Sequence, residues 1–196
     1  MSVRKQLVSG VLLAGGESRR FGSPKAFHLF NEKPFYSYSY DALTPICHEI
    51  IIISHPAHQG LYEQNEFTVL VDDEKFRGKG PLAGIFTAMT HGSGDWFVVA
   101  PCDTPFITTD IYLSLLDVID DANEYDVYIP DVVGKRQPLT AIYHKRCLPF
   151  IQKQLEKGVY KVGALFDNVN VKYITIRQSE AFRNMNTLED IRKTTE

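Results

Sequence analysis

Short apolar runs alternate with amphipathic segments along most of this chain. The runs are rich in valine and isoleucine, which fits strands that are buried on both faces of a sheet. They predict strands at Leu7–Leu13, Glu49–Ser54, Phe67–Val71, Trp96–Ala100, Asp126–Pro130 and Val169–Ile176. Helical patterns lie between them, at Phe35–Leu43, Pro81–His91, Thr109–Ile119 and Cys147–Lys157. This alternation predicts right-handed βαβ units and an α/β fold in three layers, with a mostly parallel central sheet.

One segment, Val132–Tyr143, breaks the alternation. We expect a strand pair or a lid-like excursion there, with Gly134 at the turn. The chain has 196 residues, a length that suits a single domain spanning 1–196.

A glycine-rich, basic loop, Leu13–Lys25, follows the first predicted strand. Gly15 and Gly16 allow the backbone to approach a ligand closely and to adopt φ values that a Cβ would forbid. Backbone N–H groups in such a loop favour anions, and Arg20 and Lys25 add full positive charges nearby. The spacing is neither the dinucleotide fingerprint G-x-G-x-x-G nor a P-loop. The loop is therefore a candidate site for a polyphosphate.

Acidic residues follow two further predicted strands. Asp72 and Asp73 come after one, and Asp103 comes after another. Ligands in an open parallel sheet bind beyond the carboxyl ends of the strands, so these carboxylates should meet the glycine-rich loop. Each aspartate alone also fits a helix cap or a solvated turn. Together they predict a phosphate site bridged by Mg²⁺, which prefers one or two carboxylates plus water and phosphate oxygens.

Composition narrows the functional classes. Charged residues make up 23% of the chain and the net charge is −3, so no general attraction to nucleic acid or to a membrane surface is expected. No apolar stretch is long enough to span a bilayer, and the N-terminal residues do not resemble a signal peptide. The three cysteines are widely spaced, which predicts reduced thiols in a cytoplasmic protein.

The full loop string resembles the Leu-x-Gly-Gly-x-Ser-x-Arg-Met/Phe-Gly-x-x-Lys signature of nucleotidyltransferases with a Rossmann-like fold. Within that superfamily it is most similar to the molybdenum cofactor guanylyltransferases. The likeness continues through Gly80–Gly84, Cys102–Pro105, Gln137–Tyr143 and Asn184–Thr187, and so covers most of the chain.

The resemblance implies transfer of GMP from GTP to the terminal phosphate of molybdenum-bearing molybdopterin. It implies a catalytic set of Lys25, Asp103 and Arg20, with Asp103 as the Mg²⁺ ligand. The implied nucleotide and acceptor contacts are Leu13, Ala14, Gly15, Gly16, Lys25, Asp72, Asp103, Gly80, Pro81, Gln137, Asn184 and Asn186. Of these, Gln137, Asn184 and Asn186 would lie on the acceptor side, where the 132–143 excursion is also expected.

Several alternatives stay open at this point. Asp73 competes with Asp72 for the nucleotide, and Asn186-Thr187 also fits a helix cap. Some relatives carry an asparagine after the second strand, where this chain has Ser54 and His55, and His55 fits a loop histidine. A cytidylyltransferase, a sugar-1-phosphate nucleotidyltransferase and a non-catalytic GTP- or cofactor-binding module remain alternative functions. The expected partners are GTP, molybdopterin and, by the resemblance, molybdopterin-inserting and molybdoenzyme-maturation proteins.

Overall fold

The structure, a computed structural model, describes residues 7–16, 24–62, 67–119, 124–187 and 189–191. Its strands are β1 (Val8–Ala14), β2 (Leu29–Phe30), β3 (Lys33–Pro34), β4 (Glu49–Ser54), β5 (Thr68–Val71), β6 (Trp96–Pro101), β7 (Val127–Val132), β8 (Lys135–Arg136), β9 (Ile142–His144) and β10 (Val171–Ile176). Its α-helices are α1 (Phe35–Leu43), α2 (Pro81–His91), α3 (Thr109–Leu116) and α4 (Leu148–Glu156).

One eight-stranded sheet organises the molecule, in the order β10-β7-β9-β6-β1-β4-β5 with β8 paired to β7. β1 pairs in parallel with both β4 and β6, β4 with β5, and β7 with β10. β9 runs antiparallel between β6 and β7. The predicted mostly parallel sheet is confirmed, and its parallel strands end at one common edge.

Helices cover both faces of this sheet. The alternating side chains of β6 show why: Trp96 and Val98 join a core with α1 and α3, whereas Phe97 and Val99 join a core with α2 and α4. Residues 96–100 of β6 are fully buried. Strands with both faces covered read as continuous apolar runs, and this confirms the three-layer α/β prediction.

Most predicted elements match the observed ones closely. The predicted ranges of α1, α2 and β4 are those of the structure, and Pro81 is the first residue of α2. The third predicted helix was too long, because α3 ends at Leu116. The start of the last predicted strand was also wrong, since β10 begins at Val171.

The 132–143 segment forms the expected strand pair. β7 and β8 make an antiparallel hairpin whose turn contains Val133 and Gly134, both with positive φ. The chain then continues as β9, which was not predicted as a separate strand. Because β9 is antiparallel to β6, the loop that precedes β9 lies at the edge where β6 ends.

None of the helices in the described part of the chain has the length and apolar character that a bilayer crossing requires.

The turn before β6 offers a test of the packing at the opposite edge. Gly94 donates its backbone N–H to Ser9 Oγ at 2.9 Å. A Cβ at Gly94 would collide with that hydroxyl and lie 2.8 Å from the Ser9 backbone nitrogen. A Cβ at Gly163, in a 3₁₀ turn, would meet nothing within 4 Å.

We therefore expect Gly94→Ala to destabilise the protein by about 1–3 kcal/mol through overpacking. At about 2–4 °C per kcal/mol for a chain of this size, the melting temperature should fall by about 5 °C. Gly163→Ala is the matched control and should melt within about 1 °C of the wild type, by differential scanning calorimetry. Equal melting temperatures for the two variants would contradict this packing.

Candidate active site

Two exposed glycines, Gly15 and Gly16, follow β1. Among the residues that the structure describes, none has an atom within 4 Å of a Cβ placed at Gly16. Neither glycine has a positive φ, so the expectation of a conformation forbidden to other residues was wrong. No packing demand of the described protein explains Gly16. The absence of a side chain there leaves room above the carboxyl end of β1.

The two residues before this turn belong to the sheet. Leu13 accepts a hydrogen bond at its carbonyl from the Cys102 N–H at 3.1 Å, and Ala14 pairs with Ser54. These contacts fix the ends of β1, β4 and β6 side by side. The predicted catalytic residue Arg20 lies outside the described residues.

Lys25 and Asp103 form the centre of the site. The Lys25 Nζ lies 3.0 Å from Asp103 Oδ2, and the two side chains are mostly buried, at 11% and 24% exposure. Lys25 begins a 3₁₀ turn whose Phe27 packs against Tyr36 and Tyr62. The structure therefore brings together the two residues on which the sequence prediction depended.

Asp103 is held by the turn that follows β6. Thr104 is buried, and its hydroxyl donates to the Pro101 carbonyl at 3.2 Å. The Ile107 N–H donates to the Thr104 carbonyl at 3.1 Å. This tight turn directs the Asp103 carboxylate towards Lys25 rather than into solvent.

Asp72, at the end of β5, is half-buried beside the start of α2. The Gly78 N–H donates to Asp72 Oδ2 at 3.1 Å. A Cβ at Gly84 would lie 3.6 Å from Asp72 Oδ1 and only 3.0 Å from Leu13 Cδ2, so α2 packs closely on β1 and on this carboxylate. Burial raises the pKa of Asp72, although the Gly78 N–H and the positive charge of Arg77 oppose that rise.

The neighbouring Asp73 has a different job. Its Oδ1 accepts the Lys75 N–H at 3.0 Å and caps the 3₁₀ turn Glu74–Phe76. Its own N–H donates to Thr87 Oγ1 at 2.8 Å. Of the two aspartates, Asp72 is therefore the one whose carboxylate lies beside the first turn of α2.

Gly80 and Pro81 form the exposed N-terminus of α2. Gly80 has φ 86°, a conformation that glycine adopts readily and that strains other residues. Pro81 supplies a preset φ at the first helical position, where its missing N–H costs nothing. The N-terminus of this 11-residue helix faces the same edge as Asp72 and Gly16.

Gln137 lies in the loop between β8 and β9. Its N–H donates to the Pro130 carbonyl at 2.9 Å, and its carbonyl accepts from the Thr140 N–H at 3.1 Å. The Tyr143 hydroxyl donates to the Pro138 carbonyl at 2.6 Å. These bonds hold the loop at the edge where β6 ends, and the acceptor role of Gln137 stays a prediction.

The Asn184–Thr187 segment contains a contact that the sequence did not predict. Asn186 Oδ1 accepts a hydrogen bond from Lys25 Nζ at 3.0 Å, across 161 residues of chain. Asn184 is exposed. Residues 189–191 are helical, and Thr187 caps this turn through its hydroxyl, which accepts the Asp190 N–H at 3.2 Å. The capping residues form a local pattern in the sequence, whereas the contact between Asn186 and Lys25 joins distant parts of the chain.

His55 is a loop histidine, as predicted. Its Nδ1 accepts the Ala57 N–H at 3.2 Å, which caps the 3₁₀ turn that follows β4.

The donor set fits a Mg²⁺ ion only when phosphate oxygens are present. Among the residues that the structure describes, no three histidine, cysteine, aspartate or glutamate side chains form a metal-binding group. Asp103 offers one carboxylate at the edge where the open glycine turn lies. One or two carboxylates completed by water and phosphates is the arrangement that Mg²⁺ prefers.

Residues 10–169 match the family model of the MobA-like NTP transferase domain. The chain belongs to this family. A relative from Halalkalibacterium halodurans, named "Probable molybdenum cofactor guanylyltransferase", is 43% identical over 93% of this chain and 94% of its own length.

Solved structures agree with this family in fold. Molybdopterin-guanine dinucleotide biosynthesis protein A from Archaeoglobus fulgidus superposes with a TM-score of 0.79 at 23% identity, over 94% of this chain and 95% of that one. A CMP:2-keto-3-deoxy-manno-octonic acid synthetase complexed with CTP reaches 0.76 at 12% identity, over 96% of each chain. This MobA-like domain thus has the Rossmann-like nucleotidyltransferase fold, and at such identities the two structures do not distinguish one substrate from another.

The half-buried Asp72 of this MobA-like domain generates a testable prediction. Because the pKa of Asp72 is raised in the folded state, the folded chain binds the proton more tightly than the unfolded chain does. The stability of the protein therefore falls as the pH rises from the pKa of Asp72 in the unfolded chain to its pKa in the folded chain. Replacing the carboxylate by a neutral amide should relieve that cost. We expect Asp72→Asn to raise the melting temperature at pH 7, and the gap should narrow as the pH falls through the pKa of Asp72.

Thermal melts of wild type and Asp72→Asn, from pH 7 down to below the pKa of Asp72, measure the effect. Asp73→Asn is the matched control. Asp73 caps the Glu74–Phe76 turn, so its replacement should not stabilise the protein at pH 7. A wild type that is more stable than Asp72→Asn at pH 7 would contradict the burial argument.

Proposed function

We propose that this chain transfers GMP from GTP to the terminal phosphate of molybdenum-bearing molybdopterin and releases pyrophosphate. The observation that carries the transfer chemistry is the placement of Lys25, 3.0 Å from Asp103, at the strand ends where the glycine turn is open. The choice of guanine and of molybdopterin is supported by the 43% identical relative, whose name states that activity.

The reaction forms a bond between an acceptor phosphate oxygen and the α-phosphorus of GTP, and breaks the bond from that phosphorus to the bridging oxygen. A phosphate monoester has a second pKa of about 6, so the acceptor is already a nucleophile near neutral pH. No general base is required. The protein must align the two phosphates and stabilise the charge that accumulates on the leaving pyrophosphate.

In this proposal the nucleotide binds at the end of β1, Leu13 and Ala14, and at Gly15 and Gly16, which follow it. Gly80 and Pro81 present the positive end of α2 to it. Lys25, with Arg20, neutralises the triphosphate as pyrophosphate leaves. Asp72 contacts the nucleotide, and Gln137 and Asn184 line the acceptor side. Asp103 holds Mg²⁺, which when bound neutralises phosphate charge during transfer.

We further propose that the reaction takes place in the cytoplasm. Cys47, Cys102 and Cys147 are all free thiols, as expected of a reducing compartment. Molybdopterin-inserting and molybdoenzyme-maturation proteins are the proposed partners, because a labile cofactor is best passed on by direct contact.

Removing either central charge tests the catalytic assignment. We expect Lys25→Ala and Asp103→Ala each to lower the turnover rate by about a hundredfold or more, because each removes a positioned charge at the transferring phosphoryl group. Pyrophosphate release with GTP, Mg²⁺ and the acceptor measures the rate, and thermal melts confirm folding.

The matched control is Arg146→Ala. Arg146 bonds Asp126 and the Tyr125 carbonyl before β7, at the edge where the parallel strands begin. Its folded variant should keep near-wild-type turnover. Near-wild-type rates in both folded Lys25→Ala and Asp103→Ala would refute the assignment.

A panel of nucleoside triphosphates tests the substrates. We expect pyrophosphate release to require molybdopterin and to be fastest with GTP. Preference for CTP, or turnover with a sugar 1-phosphate alone, would replace this proposal by the cytidylyltransferase or sugar-nucleotide alternative. Tight GTP binding with no release under any acceptor would favour a non-catalytic binding module.

A further inference from the structure

Near the end of the described chain, Met185 anchors the segment that contacts Lys25. Met185 is fully buried against Phe30 and Phe35, next to the segment that carries Lys25. The Met185 N–H donates to the backbone carbonyl of Asp103 at 2.9 Å. Asn186 therefore follows a residue that is bound both to the core and to the Asp103 backbone.

The local turn fixes Asn186 from its other side. The backbone N–H groups of Asn186 and Thr187 both donate to Asp190 Oδ2 at 2.8 Å, and the Thr187 hydroxyl accepts the Asp190 N–H. This is a capping box, in which Thr187 and Asp190 satisfy the backbone groups reciprocally. The Asn186 side chain is not used by the cap, and its Oδ1 accepts from Lys25 Nζ at 3.0 Å.

We infer that Asn186 is a positioning residue for Lys25, and that it holds the ammonium at the phosphate site while Lys25 exchanges Asp103 for the triphosphate. An ammonium has three donors, so it can keep the amide oxygen while one donor moves from the Asp103 carboxylate to a phosphate oxygen. The inference rests on the proposed function, since it assumes that Lys25 binds the triphosphate.

A neutral hydrogen-bond acceptor, such as the Asn186 amide oxygen, suits the position beside Lys25. A second carboxylate next to Lys25 would bind the lysine more tightly, but it would also repel the incoming triphosphate. The amide oxygen orients the ammonium without adding negative charge. This role differs from the acceptor contact that the sequence predicted for Asn186, and the two roles make different predictions for a nucleotide bound alone.

A double-mutant cycle distinguishes the positioning role of Asn186 from the acceptor-contact role. Binding of inorganic triphosphate with Mg²⁺, and of GTP with Mg²⁺, is measured by calorimetry without any acceptor in wild type, Asn186→Ala, Lys25→Ala and the double variant. We expect Asn186→Ala to lower the affinity for both ligands about tenfold, since a hydrogen bond to a charged group is lost. In the Lys25→Ala background the same change should alter affinity by less than about twofold, because the residue acts through the lysine.

The matched control is Asn168→Ala. Asn168 lies before β10, away from the strand ends that carry the site. Its replacement by alanine should leave the affinities for both ligands unchanged in either background. Asn186→Ser, whose hydroxyl is too short to reach the lysine, repeats the test, and thermal melts establish that each variant is folded.

An equal loss of affinity from Asn186→Ala in both backgrounds would overturn the inference. Unchanged triphosphate binding by Asn186→Ala, together with a raised KM for molybdopterin in the pyrophosphate-release assay, would also overturn it and return Asn186 to the acceptor side. If instead Lys25→Ala itself left triphosphate affinity unchanged, the proposed function would fail, a result distinct from the other two.

Discussion

The ion pair between Lys25 and Asp103 is the interaction on which the site depends. The two residues are 78 positions apart, and the parallel pairing of β1 with β6 places the ends of both strands at the same edge. The pair places one positive and one negative charge where an open turn leaves space for a ligand. A magnesium triphosphate carries the complementary charges, so it can replace the internal partner of each residue by an external one.

Several other residues at this edge are not those that would favour stability, and the rigid sheet supports them. Gly16 gives up side-chain packing, Gly80 adopts a left-handed φ, and Asp72 keeps a carboxylate where burial raises its pKa. These features stabilise nothing by themselves. Gly16 follows β1, in which Val11 and Leu12 are fully buried, and Gly80 precedes the buried residues of α2, so the surrounding packing holds both in place. Such a combination is typical of a binding site on an α/β sheet.

The sequence predicted the elements that have a strong local pattern. α2 was located to the residue, because a glycine, a proline and an apolar period define its start and its buried face. β9 was not resolved as a separate strand, since its three residues carry little pattern and its position depends on β6 and β7. The convergence of Lys25 and Asp103 was predictable from strand order. The contact of Lys25 with Asn186 was not, because it depends on how Met185 packs.

A crystal structure of the chain with Mg²⁺ and a non-hydrolysable GTP analogue tests the role of the Lys25–Asp103 ion pair most directly. We expect the Lys25 ammonium to contact a phosphate oxygen and the Asp103 carboxylate to bind the metal, beside Gly15 and Gly16. A triphosphate bound elsewhere, with the Lys25–Asp103 ion pair intact, would contradict this role.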